Sequence, residues 1–135
     1  MKWTYRGKVC DKLEQDVRYF VYIIHYEDNT KYVGCKAVWT ERRLKPLKAQ
    51  RANAKRVALK ESNWKSYYGS SDANKGKKPV TREILYLCSN RRTATYLEAK
   101  EILSRGAIED DSYNNLNCLG KFFSNCLDGL ITKEI

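Results

Sequence analysis

Residues 19–26 read YFVYIIHY, residues 27–30 read EDNT and residues 32–38 read YVGCKAV. The outer runs are rich in β-branched and aromatic residues, and the segment between them carries Asp, Asn and Thr, which favour turns. This pattern predicts a β-hairpin. A third strand candidate extends from Arg82 to Cys88.

Two helices are predicted after the hairpin. Thr40 can cap a short helix, and Pro46 fits the first turn of a second helix rather than the interior of the first. Residues 47–59 have helical spacing, with apolar positions on one face and basic positions outside it. The apolar positions are Leu47, Ala54, Val57 and Ala58.

The second half of the chain reads as a long loop followed by helices. Residues 62–79 are rich in Gly, Ser, Asn and Lys, and a loop of that length is more often functional than incidental. Residues 94–103 have helical spacing, with Asn90 or Thr93 as the cap and Gly106 as the end. Residues 118–135 are predicted to form an amphipathic helical tail on the core or on a partner subunit.

Length and composition indicate one α/β domain inside a cell. The chain has 135 residues, 42% of them hydrophobic, which is enough for one modest core. No run approaches the ~20 apolar residues of a membrane span, and no signal peptide is evident, so we expect a cytoplasmic protein without membrane contact. The five cysteines form no CxxC pair and are expected to be reduced.

The net charge of +10 is concentrated in one segment. Between Arg42 and Arg82 there are thirteen Lys or Arg residues against Glu61 and Asp72, a local net charge of +11. Such a segment attracts a polyanion by neutralising its phosphates. Residues 42–82 are therefore a candidate nucleic-acid-binding segment, although a solvated basic surface is the alternative.

Several enzyme classes are excluded by what the chain lacks. His25 is the single histidine, and no GxxxxGK[ST] motif occurs. Histidine-based metal centres, Ser-His-Asp triads and P-loop chemistry cannot be assembled from these residues. Any catalysis must use Tyr, Arg, Lys, Glu and Asn, a set that suits phosphodiester hydrolysis.

Four short motifs carry a family resemblance. They are Phe20-Val21-Tyr22, Tyr32-Val33-Gly34, Leu97-Glu98 and Tyr113-Asn114. In this order and spacing they resemble the active-site motifs of GIY-YIG nucleases. The runs SNWKSYYGSS (62–71), REIL (82–85) and YLEAKE (96–101) are similar to those of small phage-type members, including free-standing homing endonucleases.

The resemblance implies a fold and a domain plan. The fold is α/β, a three-stranded antiparallel sheet flanked by helices, with a basic helix-loop insertion and a C-terminal helix. One domain would span residues 1–135, with an N-terminal extension at 1–19, the basic segment at 42–82 and the tail at 118–135. Phe20 departs from the family pattern by replacing the first glycine of the name-giving motif.

The resemblance also implies an active site and a cofactor. Tyr22, Tyr32, Arg42, Glu98 and Asn114 would be catalytic and share one pocket. Glu98 would hold one Mg²⁺, for which Mn²⁺ could substitute. One of the two tyrosines would accept a proton from the attacking water. Tyr32 is favoured for this role, with Lys36 as a candidate cationic neighbour. The alternatives to Arg42 are Arg43, Lys45 and Lys36, and those to Asn114 are Asn115 and Asn117.

The substrate would be double-stranded DNA, bound by the basic segment and the loop after it. The residues expected to contact DNA are Lys36, Arg43, Lys45, Lys48, Arg51, Lys55, Arg56, Trp64, Tyr67 and Ser70. A homodimer or an accessory partner could supply specificity. A phage or mobile-element endonuclease in a bacterial host is the leading hypothesis, and a non-catalytic DNA- or RNA-binding protein on the same fold is the alternative.

Overall fold

A computed structural model of the chain describes residues 2–45, 56–69, 74–116, 118 and 125–132. It contains both strands and helix, as predicted. The strands are β1 (Trp3–Tyr5), β2 (Lys8–Cys10), β3 (Tyr19–Tyr26), β4 (Lys31–Ala37), β5 (Trp39–Leu44), β6 (Arg56–Glu61), β7 (Pro79–Cys88) and β8 (Leu130–Ile131), and helix α1 covers Arg91–Ser104. Helix α1 is too short and too polar to cross a bilayer. The described residues contain no helix that could span a membrane.

Within the described residues, the main sheet has six strands instead of the predicted three. Its order is β2-β1-β7-β3-β4, with β8 paired to the end of β7. β7 runs antiparallel to β3 and parallel to β1. The additional strands come from the predicted N-terminal extension and from the C-terminal tail, which contribute β1, β2 and β8.

The β3–β4 hairpin confirms the strand prediction. Its register runs from Tyr19 opposite Ala37 to His25 opposite Lys31. Because side chains alternate across a strand, the two faces of β3 enter different cores. Phe20, Tyr22 and Ile24 pack with the N-terminal strands, whereas the odd-numbered positions pack under α1.

Helix α1 agrees with the predicted one and extends it by a turn at its start. The Asn90 side chain accepts a hydrogen bond from the Thr93 backbone N–H, so Asn90 is the N-cap of the two residues that the sequence offered. Ala94, Leu97 and Ile102 face the sheet. Past the helix, Gly106 has φ +62°, a conformation that glycine adopts without strain.

The helix predictions for the basic segment are wrong where the structure describes it. Thr40, Glu41 and Arg42 lie in β5, and residues 56–59 of the predicted second helix lie in β6. β5 and β6 pair antiparallel as a separate two-stranded ribbon. Cross-strand pairing outweighs the helical propensity of these Ala-, Leu-, Lys- and Arg-rich runs. Residues 47–55 lie outside the described part.

The C-terminal helix prediction is wrong at its end. Leu130 and Ile131 pair with Cys88 and Leu87 of β7 and so extend the main sheet. Residues 119–124 of the predicted helix lie outside the described residues. All five cysteines are free thiols, as expected, and three of them, Cys10, Cys88 and Cys126, are buried.

Candidate active site

The hairpin brings the two motif tyrosines together. Tyr22 stands opposite Gly34, and Tyr32 is opposite Ile24, so both phenol rings lie on the same face. Their ring centroids are 6.3 Å apart. Tyr22 is 1% exposed, and Tyr32 packs against the same core at partial burial. The predicted tyrosine pair therefore exists as a structural unit.

Gly34 makes room for this pair. A Cβ atom at Gly34 would lie 2.5 Å from the Tyr22 hydroxyl oxygen, 2.7 Å from its Cζ and 3.0 Å from a Tyr32 ring carbon. These distances are shorter than real Cβ contacts, so any side chain at this position would displace the phenol rings. The final glycine of the second motif is explained by space rather than by backbone conformation.

The Gly34→Ala variant is therefore expected to lose stability. Overpacking of this kind costs about 1–3 kcal/mol, measured as a lower free energy of unfolding in urea. In Tyr22→Phe the closest atom is gone, so adding Gly34→Ala to that variant should cost less than adding it to wild type. Equal costs in the two backgrounds would show that Gly34 acts in some other way.

Two further tyrosines complete a phenol cluster, which we define as Tyr22, Tyr26, Tyr32 and Tyr67. Tyr67 meets Tyr22 edge-on at 5.9 Å, and their hydroxyls are hydrogen-bonded. The Tyr26 hydroxyl donates to the Tyr68 carbonyl at 2.9 Å. Tyr67 was predicted to contact DNA. Sequence reasoning missed Tyr26, although its even-numbered position on β3 places it on the Tyr22 face.

Burial controls the protonation of the cluster. The pKa of Tyr22 is raised well above 10, mainly because the phenolate would be desolvated and also because of neighbouring Tyr67. Burial likewise raises the pKa of Tyr26. Both groups therefore keep their protons near neutral pH and serve as hydrogen-bonding phenols.

Positive charge lies at the rim of the cluster. The Lys36 ammonium is 4.4 Å from the centre of the Tyr67 ring. Lys36 was predicted as a candidate neighbour of Tyr32, and the aromatic contact that the structure shows for it is with Tyr67. The buried Arg82 guanidinium donates to the Tyr67 carbonyl at 2.7 Å and lies over the Trp3 ring. Arg82 was predicted only as the start of a strand and the end of the basic segment, and its hydrogen bond fixes the loop that carries Tyr67.

Glu98 lies on the other face of β4. It is half-buried on α1 and hydrogen-bonds the Cys35 thiol, and Cys35 packs with the core under that helix. Tyr32 and Gly34 occupy the alternate positions of the same strand, on the phenol-cluster face. The structure therefore joins the tyrosines but does not place Glu98 in their cluster. β4 is the end strand of the main sheet, and it separates the two sets.

The Glu98 carboxylate has no cationic partner among the described residues. Burial raises its pKa, and the Cys35 hydrogen bond opposes that shift only in part. A half-buried carboxylate without a counter-charge suits a hard cation, and Mg²⁺ is commonly held by one or two carboxylates and its own waters. No three His, Cys, Asp or Glu side chains cluster in the described ranges. Glu98 is therefore the one carboxylate of this face whose surroundings suit such a cation among the residues described above.

Asn114 lies at the hairpin turn. Its amide donates to Thr30 Oγ1 at 2.9 Å and to Asn74 Oδ1 at 3.1 Å, and its backbone N–H donates to the Lys31 carbonyl at 2.7 Å. Lys77 donates to Asn114 Oδ1 at 3.4 Å. These contacts fix the beginning of β4 and lie at the opposite end of that strand from Lys36.

Asn115, a rival position in the sequence, clamps the outer edge of β4. It accepts from the Val33 N–H at 3.0 Å and donates to the Val33 carbonyl at 2.8 Å, while being 6% exposed. Its amide thus replaces the missing neighbour of an edge strand. Asn117 lies outside the described residues.

Arg42 occupies the exposed β5–β6 ribbon instead of a helix. Within the described contacts it does not touch the phenol cluster. Arg43 and Lys45 are exposed nearby, and Arg56 begins β6. The predicted DNA contacts Lys48, Arg51, Lys55 and Ser70 lie outside the described part of the chain.

The prediction that Trp64 contacts DNA is wrong, because its side chain is buried in the core. It is 0% exposed, its indole N–H donates to Glu61 Oε1 at 3.0 Å, and its carbonyl accepts from the Trp3 indole at 2.7 Å. A ring enclosed in this way cannot stack on a base. The large apolar area of tryptophan makes core packing the better interpretation.

These features define an α/β domain with a tyrosine-rich, cation-rimmed face and a nearby uncompensated carboxylate. The family described as "Putative endonuclease segE, GIY-YIG domain" matches residues 3–119. Because this match spans most of the chain, the protein belongs to that GIY-YIG family of phage type, and its domain is one that acts on nucleic acid. No curated protein and no solved structure matches the chain.

Proposed function

We propose that this protein is a Mg²⁺-dependent endonuclease that hydrolyses phosphodiester bonds in double-stranded DNA. The observation that carries the proposal is the pairing of Tyr22 and Tyr32 on one face, with Gly34 shaped to admit them. This pair lies inside the residues matched by the endonuclease family.

The proposed site spans the outer edge of β4. Segment 112–115 covers that edge at Lys31 and Val33, through the Lys31–Ser112 and Val33–Asn115 hydrogen bonds. The half of the edge beyond it carries Lys36 on the phenol side and Cys35 with Glu98 on the helix side. A phosphodiester at this half would meet both faces, which reconciles the separation of Glu98 from the tyrosines with one active site.

Each residue has a role that follows from its charge. Glu98 would hold the cation, which when bound supplies positive charge for the leaving oxygen. Tyr32 would accept a proton from the attacking water. Tyr22 would orient the Tyr32 side chain through hydrogen bonds within the phenol cluster. Arg42 is permanently charged and, from the ribbon, would bind the DNA substrate. Asn114 would hold β4 in place through its contacts at the turn.

The biological setting is part of the same proposal. The family match is of phage type, which supports a mobile-element or homing role in the cytoplasm of a bacterial host. Recognition of a long target could involve a homodimer or an accessory protein.

The test is cleavage of supercoiled plasmid by purified protein. We expect nicked or linear product with Mg²⁺ or Mn²⁺ and none when EDTA removes the metal. Cleavage that persists in EDTA would overturn the metal requirement, and intact plasmid under every metal condition would overturn the nuclease assignment.

One observation favours a second candidate, a non-catalytic DNA-binding module. Tyr22 is buried, and its hydroxyl is hydrogen-bonded to Tyr67. If this closed arrangement persists on DNA, the protein would bind without cutting. Retention of DNA on a gel, together with intact plasmid in Mg²⁺, would identify that function.

A further inference from the structure

The β5–β6 ribbon stands apart from the main sheet. It leaves the sheet directly after β4, and the Ser62 N–H donates to the Val38 carbonyl at 2.8 Å where the chain returns. Its six cross-strand pairs run from Trp39 opposite Glu61 to Leu44 opposite Arg56. Two-stranded ribbons are marginal without support, so the way in which this ribbon is held is informative.

One face of the ribbon is tied to the body of the protein. The Trp39 indole N–H donates to the Leu13 carbonyl at 3.0 Å, and Glu41 lies 3.7 Å from the Arg18 guanidinium. Glu61, opposite Trp39, accepts from the Trp64 indole. Both acidic residues of the ribbon are on this face and have partners within the protein.

The opposite face, which we name the outward face, is basic and free of acids. Alternation places Thr40 and Arg42 there, together with their cross-strand partners Lys60 and Ala58. Thr40, Arg42 and Lys60 are exposed, and Ala58 and Thr40 are small enough to allow close approach. Neither Arg42 nor Lys60 forms an ion pair with another described residue.

The sequence that joins the two strands continues this charge. Residues 45–56 contain five Lys or Arg residues and no acid. The ribbon also begins next to Lys36, at the open half of the β4 edge. A polyanion bound along the ribbon would therefore extend to the proposed active site.

We propose that the outward face of the β5–β6 ribbon inserts into the major groove of the DNA substrate and reads its sequence. The inference rests on the proposed function and deepens it by assigning target recognition to this chain itself. The B-form major groove is about 12 Å wide and admits a two-stranded ribbon, whereas the minor groove, about 6 Å wide, is too narrow. The deep, narrow major groove of A-form RNA cannot be read in this way.

Two adjacent residues give a matched test of the face. Ala58 is on the outward face, and Val57, 44% exposed, is on the opposite face beside Glu41 and Arg43. We expect Ala58→Glu to weaken binding to a short duplex about tenfold or more, because it places a carboxylate against the bases. Val57→Glu adds the same charge one residue away, opposite Arg43, and should weaken binding at least about fivefold less than Ala58→Glu does. Binding is measured by fluorescence anisotropy in EDTA, after circular dichroism shows that both variants are folded.

A second pair of variants does not depend on the introduced glutamate. The logarithm of the DNA-binding constant falls linearly with the logarithm of the salt concentration. Lys60→Gln should make this dependence shallower, reducing the magnitude of the slope by about one. Lys8→Gln removes an exposed lysine from β2, at the far edge of the main sheet, and should leave that slope unchanged. Dimethyl sulfate footprinting should show protection of guanine N7, in the major groove, and Ala58→Glu should abolish it.

The outcomes separate this inference from the nuclease assignment. Equal weakening by the two Glu variants, or protection of adenine N3 in the minor groove, would overturn the ribbon proposal even if the plasmid is cut. Face-dependent binding with intact plasmid in Mg²⁺ would support the ribbon proposal and overturn the endonuclease.

Discussion

In Glu98→Gln we expect Mg²⁺-dependent cleavage to fall by about 10³-fold or more, while DNA binding in EDTA stays within about threefold of wild type. The substitution keeps the shape of the side chain and removes the charge that would hold the cation. Glu101→Gln is the matched control, because Glu101 lies on the same helix but its carboxylate already has protein partners. It accepts hydrogen bonds from the Arg105 Nε at 2.8 Å and from the Tyr86 hydroxyl at 2.6 Å. The single-turnover rate of nicking is the measurement.

A readout other than activity tests the same cation site. Mg²⁺ that binds the folded protein raises its melting temperature, and this rise should be present in wild type and Glu101→Gln but absent in Glu98→Gln. A similar rise in all three proteins would place the magnesium elsewhere, even if Glu98→Gln were inactive.

The direction in which Glu98→Gln changes the stability of the metal-free protein, relative to wild type, can be predicted. Burial is the main influence on Glu98 and raises its pKa above the ordinary 4.5 in the folded protein. Ionised Glu98 therefore lowers stability, and the effect grows as pH rises from the unfolded pKa through the folded one. At neutral pH the glutamine variant should unfold at an equal or higher urea concentration than wild type, and this advantage should vanish below about pH 4.5.

The tyrosine pair could be predicted from sequence, because alternation and hairpin register are local properties. A run of β-branched and aromatic residues on each side of Asp28 and Asn29 fixes the hairpin, and with it the shared face of Tyr22 and Tyr32. The left-handed conformation of Asn29, φ +67°, is one that asparagine tolerates in turns. Helix α1 was predictable for a similar reason, since its cap and apolar spacing lie within its own sequence.

The position of Glu98 could not be predicted in this way. Alternation places Cys35 on the face opposite Tyr32, but nothing local states which face α1 will cover. That choice depends on how β7 and α1 are connected to the rest of the sheet. The three-residue strands β1 and β2 were missed because they are too short to show periodicity. Their turn is marked only by Arg6 and Gly7, both with positive φ, as a tight hairpin turn requires.

The ribbon was missed for a different reason. Residues 40–45 and 56–61 contain few β-branched residues, so their composition favours helix. Their strand pairing depends on Trp39 packing against the body and on the tie between Val38 and Ser62, contacts between residues distant in sequence. Only the basic character of the segment was readable in advance.

The second large effect is expected at Tyr32. Tyr32→Phe should lower the single-turnover rate of cleavage by about 10²–10⁴-fold, the usual contribution of a general base. Tyr22→Phe should lower the rate by only about tenfold. Tyr22 is 1% exposed, is hydrogen-bonded to Tyr67, and has a pKa raised well above 10, so it is poorly placed to accept a proton from water.

Tyr26→Phe is the control that separates chemistry from packing. It removes a phenol of the same cluster whose hydroxyl is engaged with the Tyr68 carbonyl, so it should cost about 1 kcal/mol of stability and little rate. If Tyr22→Phe loses the larger share of the rate instead, the closed Tyr22–Tyr67 contact must open on DNA, and Tyr22 is the base.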